Sequence, residues 1–522
     1  MLNGKTLNRI EAQRFVGHLE AKLQTRPLLS STIGAFAFIL SSSVFAQTSA
    51  PPAFSPQVLQ DLSRVQQAAL TSDYGYQRAA YLSDNIGPRL SGSPQFQQAA
   101  EYISKQMRDL GLEVTMEKVM VPHWVRGVES AQLVEFPGQA PNTTQKMVVT
   151  ALGGSVATPA DGIVAPVVVV HNTDELNHLG RESVAGKIVL FDEHFDERMA
   201  AEGYGLDAYG EAVQYRSSGP SEAAKLGAVA ALVRSAGRGS FRLPHTGGTH
   251  YTKGVPKIPA GALTAEDADL LQRLSNQGTV KMRLTLTPQT LPDAVGYNVI
   301  GDLRGSEHPE QIVIMSGHLD SWDLGTGAID DAAGVGIALQ AIKVIRDLGL
   351  KPSRTLRVIA WANEENGLRG GATYAREHET ALANHYAAVE SDLGAGHPVG
   401  FFFTGGPAIK DILKPVSNVL ENSGAGLAYQ TDETGSDLIP MGVRGVPTFA
   451  PIQDNRTYFI YHHTPADTFD KINLKEFQEN AAVMAGLGYA LANSTAALPR
   501  ATRPMPEWLK EEDQTYSNAS MH

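Results

Sequence analysis

His318 and Asp320 stand two residues apart in G-H-L-D, and Asp330 and Asp331 follow in G-A-I-D-D-A-A-G. Farther on come Glu364 and Glu365 in N-E-E, Asp392 in E-S-D, and His462, His463 and Asp467 in H-H-T-P-A-D. Imidazole and carboxylate are the groups that hold a catalytic zinc, with one coordination position left open for water or substrate. These groups are too many for one ion, and two ions bridged by a shared carboxylate are the economical reading. Taken singly, each group has a plainer use. An H-x-D is commonly a surface turn, and paired glutamates after a strand commonly start a helix, where acidic side chains suit the dipole. Asp330-Asp331 would serve as a helix N-cap. Their order and their repeated placement at strand ends argue for chemistry.

The elements that must position them can be read from the same stretch. Gln311 to Ser316 is a short apolar run rich in β-branched residues and closed by Gly317, so it predicts a buried strand with His318 and Asp320 just past its carboxyl end. A Gly-rich loop, Leu324 to Gly327, returns the chain to Asp330, and Ala332 to Ile345 has the periodicity of a helix packed on a sheet. Leu356 to Trp361 and His385 to Val389 predict two more strands, ending before Asn363-Glu364-Glu365 and Glu390-Ser391-Asp392. Tyr461 to Asp467 reads as a loop before a helix. Ligands of a doubly wound α/β sheet bind outside the carboxyl ends of its strands, which is where these groups fall.

In this order the motifs resemble the co-catalytic di-zinc aminopeptidase and carboxypeptidase family. V-P-H-W-V-R-G from Val121, A-L-G-G-S-V from Ala151, V-Q-Y-R from Val213 and G-H-L-D-S-W-D from Gly317 extend the resemblance over nearly everything after the leader. It implies an α/β fold with a doubly wound mixed sheet, the zinc-dependent exopeptidase fold, carrying a smaller inserted domain. It also implies two zinc ions, one on His318 and Asp392, the other on Glu365 and His463, with Asp330 bridging both. Glu364 would be the general base. Asp320 is placed to hydrogen-bond the far ring nitrogen of His318, and Asp467 that of His463.

His462 stands where some relatives have a tyrosine and is a candidate oxyanion donor; Tyr458 and Tyr461 are nearby alternatives. Gly435-Ser436-Asp437 resembles a turn lining the substrate pocket, which makes Ser436 a candidate contact. The implied activity is hydrolysis of short peptides, above all unblocked dipeptides, by general-base-assisted attack of a metal-bridging hydroxide. The alternatives are an aminopeptidase on longer peptides and, from another class, a metal-free binding homologue. A deacylase of the other di-zinc family would carry its insert after the E-E pair, whereas here the insert precedes His318.

Length and composition set the frame. The 522 residues suggest two domains, and 42% apolar with 19% charged residues is ordinary for a soluble globular chain. A net charge of −12 argues against a nucleic-acid partner. The absence of cysteine excludes disulfides and thiolate metal sites without choosing a compartment. Lysines and arginines precede an uncharged run from Pro27 to Ala46, and Val44-Phe45-Ala46 is a small-residue cleavage pattern. Residues 1–46 therefore read as a signal peptide of a secreted or periplasmic protein with no membrane attachment after cleavage; an uncleaved anchor or a misassigned start are the alternatives.

Residues 47–55 read as a linker. Residues 56–125 open the catalytic domain, with Phe96, Ala100, Ile103, Met107 and Leu110 forming a helix stripe ended by Gly111 and a strand from Glu113 to Val121. Ile86 to Ser93 either borders the active site or is a plain helix entry. Residues 126–292 alternate short apolar runs with Gly-rich loops and show one or two strongly helical segments. They read as an inserted β-rich, protease-associated-type domain, in which His245 and His250 are loop histidines rather than ligands. Residues 293–499 carry the chemistry, and 500–522 form a polar tail expected to be poorly ordered at its end. The expected partners are short peptides, and the assembly is open between monomer and homodimer.

Overall fold

The computed structural model describes residues 52–239 and 241–512. The expected signal peptide, most of the linker and the end of the tail lie outside the described residues. From Pro52 onward the chain packs as one compact unit containing two mixed sheets.

The first sheet runs in the order Glu113–Val125, Gln289–Leu303, Arg354–Trp361, His308–His318, His385–Glu390, Thr448–Gln453, Pro398–Phe403 and Leu427–Gln430. At its centre Arg354–Trp361, His308–His318, His385–Glu390 and Thr448–Gln453 are parallel. The near-continuous apolar runs of these strands are what burial on both faces requires. Alternation along His308–His318 divides two cores. Val313 and Met315 pack with the helices Ala333–Asp347 and Leu474–Asn493, while Ile314 faces Trp361, Tyr374 and Leu438 on the other side. Phe96, Ala100, Ile103 and Met107, on the helix Pro94–Asp109, join the first of these cores, as the predicted stripe requires.

Every strand of the second sheet comes from between Glu129 and Leu286. Its middle strands Ile163–Val170, Ile188–Phe191, Ala230–Arg234 and Ala260–Leu263 are parallel. Helices Thr173–Val184, Gly205–Lys225 and Ala265–Ser275 accompany them, so this region is more helical than its sequence predicts. Gly205–Lys225 is hard to read because the face it buries is made of Ala, Gly, Pro and Ser rather than large apolar residues. The two expected junctions at 126 and 292 meet in one ladder: Glu113–Val125 and Gln289–Leu303 pair from Glu113↔Asp302 out to Val125↔Gln289.

Within the described part of the tail, residues 507–512 are helical and Leu509 is fully buried. Among the described residues no helix is long and apolar enough to cross a membrane.

Candidate active site

Register brings the motifs together. His318 lies opposite Trp361, three residues before Glu364, and Ser316 lies opposite Glu390, two residues before Asp392. Three neighbouring parallel strands thus deliver their polar ends to one place. The Asp330-Asp331 pair drops onto it from the turn before Ala333–Asp347, and His463 arrives from the turn after Tyr458–Tyr461. The two residues of the aspartate pair face different ways. Asp331 accepts from the backbone N–H of Gly334 at 2.8 Å and of His318 at 3.0 Å, securing the helix start. Gly334 is obligatory here, since a Cβ would lie 2.0 Å from the Ser391 carbonyl oxygen.

Asp330 is the centre of the arrangement. Its Oδ1 is 3.0 Å from His318 Nε2, which is also 3.2 Å from Asp392 Oδ1. Its Oδ2 is 3.2 Å from His463 Nε2 and 3.5 Å from His462 Nε2. Glu365 Oε2 meets His463 Nε2 at 3.0 Å, while its Oε1 accepts the Trp322 backbone N–H at 3.0 Å. The structure therefore gathers every predicted ligand and adds His462 at the edge of the group. His463 holds a left-handed backbone, φ 61°, a costly conformation for a non-glycine residue that persists where its surroundings hold it.

The orientation of the two histidines differs from expectation. His318 Nδ1 donates to the backbone carbonyl of Asp320 at 3.0 Å, with that residue's carboxylate farther off at 3.8 Å. The Asp320 carboxylate instead accepts the backbone N–H of Glu364 at 3.0 Å and of Glu365 at 3.4 Å, and the Ser91 hydroxyl at 3.0 Å. It is a clamp on the glutamate pair. Asp467 likewise does not serve His463: its carboxylate accepts the N–H groups of Ala328 and Ile329, both at 2.8 Å, and so fixes the turn that carries Asp330. The acceptor beside His463 Nδ1 is the Thr246 carbonyl oxygen at 3.3 Å, from the second sheet's loops. In return Thr246 N–H donates to the His463 carbonyl at 2.9 Å.

Sequence reasoning also missed Arg89. Fully buried, it donates to the carbonyls of Leu319, Thr326 and Gly327 at 2.8–2.9 Å, so Ile86 to Ser93 borders the site and braces both ends of the Leu319–Gly327 loop. His245 is buried with neither ring nitrogen hydrogen-bonded, and burial pushes its pKa down to about 3. It is outside the donor cluster, as is His250.

The electrostatics suit a cation. With Nδ1 donating, His318 Nε2 faces two carboxylate oxygens, an arrangement that is repulsive unless a proton or a metal ion stands between them. Against the effect of burial, Asp392 and Asp330 push the His318 pKa well above the usual imidazole range. Glu365 and Asp330 do the same to His463, again against burial. Burial, followed by the neighbouring Asp330 charge, pushes Glu365 up to about 7. Asp330 Oδ2 is buried with no hydrogen-bond donor of its own. Donors of a tetrahedral zinc, at bond lengths of about 2.0–2.1 Å, are roughly 3.3 Å apart. The spacings around His318 and His463 fit that geometry, and the nitrogen and oxygen donors fit a zinc-type ion on each side of Asp330.

The cluster opens into a cavity of ≈ 810 Å³. Glu364, Ser436, Tyr458 and His462 all line it, so the candidate base and the candidate substrate contacts face the same space as the ligands. Burial, then the charges of Asp392 and Glu365 working against that of His318, pushes the Glu364 carboxyl well above the usual range. Burial, then the His463 charge, holds His462 well below the usual imidazole range.

Residues 298–488 match the sequence profile of Peptidase family M28. The fold and the donor cluster define a metallopeptidase, and the chain belongs to peptidase family M28. Within that family it is similar to carboxypeptidase Q: the Bos taurus protein is 39% identical over 81% of this chain and 86% of its own length. The Homo sapiens protein is 38% identical over the same shares. The crystal structure of a peptidase M28 precursor from Shewanella amazonensis SB2B covers 86% of this chain and 99% of its own, with a TM-score of 0.79 at 38% identity. A zinc aminopeptidase from Bacillus subtilis shares the fold, with a TM-score of 0.58 at 20% identity over 79% of this chain and 93% of its own.

Proposed function

We propose that the protein is a secreted two-zinc exopeptidase that hydrolyses short unblocked peptides, above all dipeptides. The observation that carries this is Asp330, whose two oxygens face different histidines, 3.0 Å from His318 and 3.2 Å from His463. One ion would be held by His318 and Asp392, the other by Glu365 and His463, with Asp330 shared. When bound, the ions acidify a shared water and polarise the scissile carbonyl. Glu364, lining the cavity, takes the proton of the attacking water and passes it to the leaving amine. Asp320 holds Glu364 in place through its backbone N–H. His462 and Tyr458 are the groups available to donate to the developing oxyanion, and Ser436 contributes to the wall.

Short substrates are supported by the walls of the cavity. Leu206 and Tyr209 line it from the second sheet's helices and Trp508 from the tail, so it is walled from several sides. We read the 126–292 region as the protease-associated-type domain that supplies one of those walls. The charge pattern of residues 1–46 supports export.

The test is metal analysis of the purified protein together with a panel of dipeptides, their N-acetyl and C-amide forms, and longer peptides. Two zinc-type ions per chain and rapid cleavage restricted to unblocked dipeptides are expected, with Asp330→Ala losing more metal than any other single ligand change. Full metal content in that variant would dismiss the bridge. Efficient release of residues from the amino end of long peptides would replace the dipeptidase reading with an aminopeptidase.

A further inference from the structure

Trp508, Glu511 and Glu512 line the cavity from the short tail helix 507–512, far in sequence from the donors. The chain is led there by its arginines. Arg500 donates to the carbonyls of Leu382 and His385 at 2.8 and 2.9 Å, and the Arg503 backbone N–H to that of Val443 at 3.1 Å. Leu509 then fills an apolar seat with Ala372 and Val443, against which Met505 and Trp508 pack. Glu512 lies 3.1 Å from Arg369 Nε, and the same guanidinium binds Asp293 at 2.7 Å and the Met120 carbonyl at 3.1 Å. The segment is thus fastened on one side to the helix Arg369–Glu377 and on the other to the ladder of Glu113–Val125 and Gln289–Leu303. Its seat is separate from the cores that hold the two sheets.

What such a segment does follows from its aromatic residue. Of the four tryptophans, Trp124, Trp322 and Trp361 are buried, whereas Trp508 is half-buried, packed on Leu509 and open to the cavity. An indole is large and rigid, with few torsions by which to move aside. The cavity, at ≈ 810 Å³, has the size that encloses one small ligand. Each further residue of a peptide adds about 3.3–3.6 Å of extended chain. Resting on the dipeptidase reading above, we propose that the tail helix, through Trp508, is the stop that limits substrate length. A dipeptide seated on the donor cluster fits inside the docked tail, and a peptide prolonged toward the tail meets the indole. Length specificity is then set by a segment outside both sheets, and the metal-bearing sheet supplies the chemistry.

The experiment compares the full-length wild type, W508A and L509D, in preparations of equal metal content, on one unblocked dipeptide and on tetrapeptides that extend it at either end. The quantity read is the ratio of kcat/KM for the tetrapeptides to that for the dipeptide. W508A lowers the wall while Leu509 and Glu512 keep the helix docked, and it is expected to raise the ratio for at least one extension about tenfold, the scale on which fit in a pocket discriminates substrates. L509D places a charge in the apolar seat, so it expels the whole helix and is expected to raise the ratio further. Should L509D not be recovered folded, W508A decides alone. An unchanged ratio in the folded variants, even beside a fall in activity on every length, would make the tail a structural brace and overturn the proposal alone. A wild type that cleaves the tetrapeptides as well as the dipeptide would overturn it together with the dipeptidase reading.

Discussion

Glu364 and Glu365 are adjacent, and the proposed mechanism gives them separate work. Glu365 has one oxygen taken by the Trp322 N–H and the other turned to His463, whereas Glu364 is held through its backbone N–H by Asp320 and lines the cavity. Glu364→Gln is nearly isosteric but cannot accept a proton. It should retain its metal and lose about 10²–10⁴-fold in kcat, which metal analysis beside steady-state rates will check. Loss of an ion from Glu364→Gln, with none lost from Glu365→Gln, would exchange the two roles. The residues of the donor cluster were legible in the sequence because the chemistry proposed for them rests on their side chains, whose types announce it. What orients them was not. His318 and His463 are served by the backbone carbonyls of Asp320 and Thr246, and Arg89 acts by donating to carbonyls, a kind of partner that every residue carries and no residue type advertises. Asp320 was picked out for the right neighbourhood and the wrong atom.

At the scale of elements, the three strands that lead into the motifs were legible from apolar runs closed by glycine or polar residues, whereas Gln289–Leu303 and Thr448–Gln453, in the same sheet, were not singled out. The motifs outside the ligand stretches are explained by where the elements meet. Arg126 of V-P-H-W-V-R-G binds Asp323 through two nitrogens at 2.6 and 2.8 Å, the Ala151 carbonyl at 2.7 Å and the Thr246 hydroxyl at 3.1 Å. Gly153 of A-L-G-G-S-V lies against Trp322, where a Cβ would come within 2.0 Å of the indole ring. The second sheet is thereby seated on the loop whose backbone N–H holds Glu365. Gly153→Ala must move that indole, at a cost of about 1–3 kcal/mol for overpacking. We expect faster release of the ion on the Glu365–His463 side, read by transfer to a chromogenic chelator, and a matching fall in activity. Unchanged release would show that Trp322 moves without carrying Glu365. Sequence spacing gave no hint of this contact, since the two residues lie in loops 169 positions apart.

For the whole molecule, the metals are expected to be part of the fold's stability. An ion that binds only the folded chain stabilises it by about 4 kcal/mol at a thousand times its Kd. Stripping with a chelator should therefore lower the midpoint of thermal unfolding, and re-addition of zinc should restore it; an unchanged midpoint in verified metal-free protein would mean the ions contribute nothing to holding the fold together. The reciprocal hydrogen bonds between Thr246 and His463 join residues 217 positions apart. Their consequence concerns the making of the protein. A chain whose 241–250 loop has not yet reached its place leaves His463 without its orienting partner, and a half-assembled metal site grips its ion weakly. On the two-zinc reading, peptide cleavage is then expected to require this long-range contact, and a chain not yet synthesised as far as His463 has no complete site. A protein nicked within that loop should release zinc and fall silent while the rest of its structure survives.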